Sequence, residues 1–140
     1  MNVSIIKRRH NLPENSINFE SLNLCDLCHT ETETLTHIFW NCSKTVTLIS
    51  EIEHWINTSL NLNIIFTESD IILGITYKTE YNEILNLIIL TIKKYIYYTK
   101  YKKKTLSVII AKAAIKNLIK SGLSQNRPPK NIEIFERLIQ

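Results

Sequence analysis

Glycine and proline are scarce in this chain, which has two glycines and three prolines among its 140 residues. Tight turns between strands rely on these residues, so their scarcity argues against an all-β fold and favours helices. Long apolar runs are missing as well, because Lys93 and Lys94 interrupt the longest one before the roughly 18 residues that a membrane span requires. The N-terminus also lacks the apolar stretch of a signal peptide. We therefore expect a mostly α-helical protein that is intracellular, either nuclear or cytoplasmic, that is not secreted and that has no membrane partner.

Cysteine is limited to Cys25, Cys28 and Cys42, and methionine to Met1. Three thiols cannot all be paired in disulfides, and an intracellular chain keeps its thiols reduced. The sequence Cys25-x-x-Cys28-His29 has the form of a haem-attachment site. However, no export signal is seen and no methionine other than Met1 could serve as a second axial ligand, which argues against haem. Three buried thiols without a metal are a simpler alternative.

A zinc site accounts for all three thiols. Cys25 and Cys28 have the spacing that lets both bind one ion from a tight turn, and His37 with Cys42 can complete a tetrahedron. His29 is the rival fourth ligand, but it directly follows Cys28, which makes its approach to the same ion poor. We therefore predict a structural zinc site formed by Cys25, Cys28, His37 and Cys42. Protein fills all four positions of such a site, so none is left for an activated water molecule.

Charge is distributed unevenly along the chain. Residues 1–90 carry 5 Lys/Arg and 11 Asp/Glu, a balance of −6, whereas residues 91–140 carry 12 and 2, a balance of +10. A strongly basic half favours a polyanionic partner, most often nucleic acid. A solvated lysine face without a ligand is the simpler alternative.

Lysines and tyrosines are interleaved between residues 93 and 104. Lysine provides charge for phosphate groups, and tyrosine rings are surfaces on which unpaired bases can stack. The alternative is that these tyrosines line the rim of the core while the lysines solvate a helix end. The predicted nucleic-acid-binding residues are Lys93, Lys94, Tyr98, Lys100, Tyr101, Lys102, Lys103 and Lys104.

Apolar periodicity predicts a series of helices. They span about 30–39, 43–58, 67–73, 80–103 and 105–121, with a short last helix from about residue 131. The helix 67–73 begins with Thr67-Glu68-Ser69-Asp70, which resembles a helix start. The segment 80–103 is apolar on nearly every side, which is typical of a helix buried within a domain. Gly74 and Gly122 are predicted helix stops. We interpret residues 1–58 as a zinc-binding segment and residues 59–140 as a basic helical region. Together they form one continuous domain, which we expect to be a small helical bundle with an N-terminal CCHC zinc knuckle.

The run Cys25-x2-Cys28-x8-His37-x4-Cys42 resembles the C-terminal zinc-binding domain of reverse transcriptases from non-LTR retrotransposons of the long interspersed element type. The residues between the two ligand pairs, ETLTHIFW from 33 to 40, match that family's acidic Glu-Thr, leucine-type residue, ligand histidine and aromatic pair. In the family a helix then runs to a tryptophan, which is here Trp55, later than usual. Segments 70–74 and 86–96 also resemble the family, and the resemblance spans about residues 5–120.

This resemblance implies a stand-alone tail of a retroelement protein, which helps to hold template RNA, so RNA is favoured over DNA as the partner. A reverse transcriptase polypeptide is the other partner that the resemblance suggests. Asp26 and Asp70 are the only aspartates and are far apart in sequence, so the paired-aspartate motif of a polymerase is absent. An endonuclease carboxylate cluster with a partner histidine is absent too, and we expect no enzymatic activity. The alternative function is a structural or interaction domain that packs on a reverse transcriptase or another protein without contacting nucleic acid.

Overall fold

Helices build almost all of the structure in the computed structural model, which describes residues 23–77 and 79–140. The part of the predicted zinc-binding segment before residue 23 lies outside the described residues. Within them, the only strand-like feature is one isolated bridge between Leu24 and Thr32. In chain order the elements are a π-helical turn (His37–Asn41), α1 (Ser43–Leu60), α2 (Glu68–Leu73), α3 (Asn82–Tyr101), α4 (Val108–Leu123) and a 3-10 helix (Ile132–Ile139). The prediction of a mostly α-helical bundle with an N-terminal knuckle is confirmed.

Local sequence signals explain where α2 begins and ends. The hydroxyl of Thr67 accepts a hydrogen bond from the Asp70 amide at 3.2 Å, and the Asp70 carboxylate accepts one from the Thr67 amide at 3.0 Å. This reciprocal capping box satisfies two amides that a helix start leaves without partners. Gly74 follows with a φ of +90°, a backbone conformation that glycine adopts without steric cost, and α2 ends there as predicted.

Two predicted boundaries are wrong. The helix expected over 30–39 is confined to its last residues, because residues up to 34 form the knuckle and a π-helical turn begins at His37. Gly122 does not stop α4 but lies buried inside it. A Cβ atom at this position would collide with Cδ1 of Ile132, so the missing side chain lets the 3-10 helix approach α4 closely.

The core is built from isoleucines that recur every four residues. Ile84, Ile88, Ile92 and Ile96 form one buried row along α3, similar buried rows run along α1 and α4, and α4 packs against α3. The prediction that α3 is buried on nearly every side is wrong for one stripe. This stripe is exposed and comprises Leu90, Lys94, Tyr97, Tyr98 and Tyr101.

Packing anchors the first and the last helical element of the described residues to the bundle. The π-helical turn contacts α1, α2 and α3, and the 3-10 helix packs on α1 and α4. The knuckle that precedes the π-helical turn is therefore held against the bundle rather than hanging from it. Across residues 23–77 and 79–140, no helix has the length and apolar character needed to cross a membrane.

Candidate metal centre

A tight turn presents the first two thiols. The His29 amide donates to the Cys25 carbonyl at 2.9 Å, and the Leu27 amide donates to the Cys25 sulfur at 3.3 Å. His29 takes a φ of +62°, which lets the chain reverse directly after Cys28. The bridge between Leu24 and Thr32 closes the turn, and the sulfur atoms of Cys25 and Cys28 lie in one cluster.

The other two side chains come from the junction between the π-helical turn and α1. Cys42 is the N-cap residue of α1, and its amide donates to the His37 carbonyl at 2.6 Å. A π-helical turn spaces backbone partners five residues apart, and here it brings the His37 imidazole and the Cys42 thiol to the same side.

Cys25, Cys28, His37 and Cys42 come together as one cluster, and their potential ligand atoms all lie within 4.8 Å of one another. The Cys25 and Cys42 sulfur atoms are 3.9 Å apart, and the Cys28 sulfur is 3.3 Å from Nε2 of His37. Cys25 and Cys42 are fully buried and His37 is 4% exposed, while Cys28 is half-buried. Such a cluster of three thiols and one imidazole could hold a metal ion.

The surroundings shift the pKa values of the two thiols of the turn in opposite directions. Burial raises the pKa of Cys25 to about 11, and the nearby Cys42 sulfur adds to this. Burial also acts to raise the pKa of Cys28, but hydrogen bonds from Thr30, His37 and the Glu31 backbone outweigh it and lower that pKa to about 6. The Thr30 hydroxyl donates to the Cys28 sulfur at 3.3 Å. Cys28 is therefore a thiolate at neutral pH, ready to bind a cation.

A carboxylate lies behind the histidine. Glu31 Oε1 is 3.8 Å from Nδ1 of His37, on the side of the ring away from the thiols. A carboxylate at this position favours the tautomer that carries its proton on Nδ1, which leaves Nε2 free to bind a metal. Glu31 and Thr30 were not singled out as site residues from the sequence. The available signal was that both residues lie close in sequence to Cys28 and His37, because residues that orient metal ligands are often near those ligands in the chain.

The remaining described histidines lie elsewhere. His29 is exposed and does not join the cluster, although it is adjacent to Cys28. His54 is exposed on α1, with Nε2 3.5 Å from the Thr58 hydroxyl. The arrangement thus favours His37 over His29 as the fourth ligand.

Two of the residues predicted to bind nucleic acid are engaged within the protein. Lys100 Nζ lies 3.0 Å from Glu33 and 3.9 Å from Asp26, and only 16% of its side chain is exposed. Burial acts to lower the pKa of Lys100, but the two carboxylates outweigh it and raise that pKa. Lys93 donates to the Ile72 carbonyl at the end of α2 at 3.2 Å. Both lysines hold elements together, so we correct their assignment as free phosphate-binding groups.

The other predicted residues are on the surface. Tyr98 is 55% exposed and Tyr101 is 70% exposed, so neither ring is part of the core. Lys102 Nζ lies within 6 Å of both rings, at 5.8 and 5.9 Å from their centroids. Lys94, Lys103 and Lys104 are exposed as well, although Lys103 Nζ is also 3.3 Å from the Asp26 carboxylate.

No protein-family model, no curated protein and no solved structure matches this chain in comparisons with known proteins. The functional argument therefore rests on the residues of the cluster and of the surface around the end of α3.

Proposed function

We propose that the protein is a zinc-binding module that contacts nucleic acid, RNA in preference to DNA, and has no polymerase or nuclease activity of its own. The observation that carries this proposal is the cluster of Cys25, Cys28, His37 and Cys42 within 4.8 Å. In this proposal the zinc ion is structural, because protein supplies all four ligands.

The distances in the cluster support zinc. A tetrahedral ion with Zn–S bonds of about 2.3 Å and Zn–N bonds of about 2.0 Å places two sulfurs about 3.8 Å apart, and a sulfur and a nitrogen about 3.5 Å apart. The distance between the Cys25 and Cys42 sulfurs is 3.9 Å, and that between the Cys28 sulfur and His37 Nε2 is 3.3 Å. Thiolate and imidazole ligands in a closed tetrahedron are typical of zinc rather than of calcium or magnesium, which prefer oxygen.

The exposed end of α3 supports nucleic-acid binding. Tyr98 and Tyr101 present their rings to solvent, and Lys102 stands between them with its charge. Phosphate charge and base stacking are the two interactions that bind single strands without reading their sequence. We expect the affinity to be sensitive to salt and tolerant of sequence.

The proposed origin is the C-terminus of a non-LTR retrotransposon reverse transcriptase. It is supported by the pattern of ligands and intervening residues over 25–42, and no match to a known protein adds to it. A reverse transcriptase polypeptide is the protein partner that this origin suggests.

Metal analysis by native mass spectrometry tests the zinc site. We expect one zinc ion per chain, lost in His37→Ala and retained in the matched control His29→Ala. Loss of the ion should also unfold the knuckle, because binding energy at such sites is folding energy. A chain that carries no zinc after purification without chelator would contradict the proposal, and loss of zinc in His29→Ala alone would reassign the fourth ligand.

The salt dependence of RNA binding tests the second half of the proposal. Changing Lys102, Lys103 and Lys104 to glutamine should flatten the slope of log K against log salt by about 2, at roughly 0.7 per lost phosphate contact on a single strand. A control with the same loss of charge replaces Lys44, Lys120 and Lys130, which are exposed elsewhere. Equal slopes in the two triple variants would show that only total charge matters.

A docking function is the second candidate, because apolar side chains are exposed away from α3. Ile65 is 74% exposed and lines a groove together with Trp40 and Phe66, and Leu73 is 76% exposed. Exposed apolar patches often mark protein interfaces. Sedimentation measures whether the protein self-associates and whether Ile65→Ser abolishes self-association. Self-association that depends on Ile65, together with failure of the protein to bind RNA, would favour this function.

A further inference from the structure

An open groove of about 410 Å³ lies between α1 and α4, away from the metal cluster. Its floor on α1 consists of two rows of side chains, each with a spacing of four residues that places its members on one helix face. One row is Ser50, His54 and Thr58, and the other is Glu51, Trp55 and Ser59. On the opposite side α4 contributes Lys112.

Trp55 and Lys112 give this groove its chemistry. Lys112 Nζ lies 5.3 Å from the centroid of the Trp55 ring, in a cation–π contact between the two helices. Both side chains are half-buried, so part of the ring and part of the lysine are open to solvent. The hydroxyls of Ser50, Ser59 and Thr58 supply hydrogen-bonding groups around them.

The combination of groups restricts the ligand. A flat indole surface selects a planar ring, and the adjacent ammonium repels cations and attracts an anion. Glu51 can accept a hydrogen bond from an N–H group on the edge of a base, such as N3–H of uracil, in the way that carboxylates accept one from the amino group of cytosine. A ligand that has a planar ring with N–H groups on its edge, a sugar with hydroxyls and a negative charge next to them is a nucleotide.

We propose that this groove binds one unpaired nucleotide of a single-stranded RNA, with the base stacked on Trp55 and the phosphate on Lys112. The inference rests on the proposed function that the protein binds nucleic acid, and it adds a site separate from the tyrosines and lysines at the end of α3. Lys112 leaves the ring when the base enters and follows the phosphate, which a flexible side chain on the rim can do.

The chain position of Lys112 fits this second contact. It lies at the fifth residue of α4, about one turn from the helix start, and α4 follows directly after the loop that carries Lys102, Lys103 and Lys104. An RNA strand bound at that loop therefore has further lysine charge available on α4, the element that follows the loop. Lys116 continues the row one turn further on.

Tryptophan fluorescence provides a direct test, because the chain has only two tryptophans. In a Trp40→Phe variant all indole emission comes from Trp55. We expect a single-stranded oligouridylate to quench this emission, and the same sequence annealed into a duplex to quench it much less. The matched control is Trp55→Phe, in which the remaining Trp40, which belongs to the π-helical turn and lines a different groove, should not respond.

Affinity measurements complete the test. Trp55→Ala should weaken binding of the oligouridylate by roughly 5- to 150-fold, the range for a lost stacking contact. Trp55→Phe, which keeps an aromatic ring, should recover most of the loss. Lys112→Gln should weaken binding and flatten the salt slope, whereas Lys120→Gln, exposed on the same helix, should weaken it less. Melting curves recorded by circular dichroism must show that Trp55→Ala remains folded. If it does not, the fluorescence of the Trp40→Phe variant decides.

The outcomes separate this inference from the function on which it rests. If the protein binds the oligouridylate but Trp55 is not quenched and Trp55→Ala binds normally, the groove is not a nucleotide site, and the binding at α3 stands. If the protein binds no RNA at all under low salt, both proposals fall together. Quenching that depends on Lys112 supports the groove.

Discussion

Replacement of Lys100 by methionine tests how the knuckle is attached to the bundle. Methionine keeps most of the apolar length of the side chain and removes its charge. Lys100 Nζ lies 3.0 Å from Glu33, whose side chain is only 8% exposed, so the change leaves that carboxylate buried without its cation. Breaking a fully buried ion pair costs about 3–5 kcal/mol, and a hydrogen bond to a charged group contributes about 1.5–3 kcal/mol. Since Lys100 itself is partly exposed, we expect a loss of about 2 kcal/mol in the free energy of unfolding.

Urea denaturation of the zinc-loaded protein, followed by circular dichroism, measures this loss. Lys102→Met is the matched control, because Lys102 is exposed beside Lys100 in the chain and makes no ion pair with the described residues. A double-mutant cycle with Glu33→Gln isolates the pair, and the coupling should account for most of the Lys100→Met effect. If Lys100→Met and Lys102→Met had the same stability, the ion pair would contribute nothing and the reasoning would be refuted.

The pH dependence of the stability difference between the unmodified protein and Lys100→Met gives a second check. The folded pKa of Lys100 is raised above its ordinary value of 10.5. A raised lysine pKa means that the folded state holds the proton more tightly than the unfolded state does. The stabilisation by Lys100 should therefore be fully present at pH 7 to 9 and be lost only as the pH rises through the folded pKa, above about 10.5.

Two further predictions concern packing and thiol chemistry. Gly122→Ala should destabilise the protein by about 1–2 kcal/mol in a urea titration, because overpacking against Ile132 costs roughly 1–3 kcal/mol and helix propensity returns up to about 1; Ser121→Ala, at the exposed neighbour, should have little effect. When a chelator removes the metal at pH 7 in the presence of iodoacetamide, Cys28 should be modified before Cys25 as long as the knuckle is still folded, because Cys28 is half-buried with a pKa of about 6 and Cys25 is fully buried with a pKa of about 11. Tandem mass spectrometry of protein quenched at early times and then digested would reveal the order, and equal modification of the two thiols at the earliest times would contradict it.

Much of the helical order could be predicted because its signals are local. The period of the apolar residues placed α1 within two residues of its observed ends, and the Thr67 and Asp70 side chains marked the start of α2. The errors arose where distant contacts decide. Gly122 marks the end of α4 to within one residue, but the close approach of Ile132 from another element, which its missing side chain permits, has no local signal. Which stripe of α3 is exposed likewise depends on which other elements pack against this helix.

The candidate metal ligands could be predicted because few arrangements use three thiols and one imidazole at this spacing. Glu33 could not be interpreted correctly in the same way. In the sequence it stands only as the acidic residue of the pattern between the ligand pairs, whereas in the structure it pairs with Lys100, 67 positions further along the chain. Pairing over that separation depends on how α3 lies against the knuckle, and no local pattern encodes it. The opposite charges of the two halves of the sequence were the only signal of it.

This pairing changes what the charge asymmetry means. Part of the excess of lysine in the second half of the chain neutralises carboxylates of the knuckle, because Lys100 and Lys103 lie beside Glu33 and Asp26. Lys93 is used at the end of α2. The exposed lysines on α3 and directly after it that make no ion pair with the described residues are Lys94, Lys102 and Lys104. Three phosphate contacts on a single strand correspond to a salt slope of about 2, so a steeper slope for RNA binding requires contacts beyond this surface, such as the one proposed at Lys112.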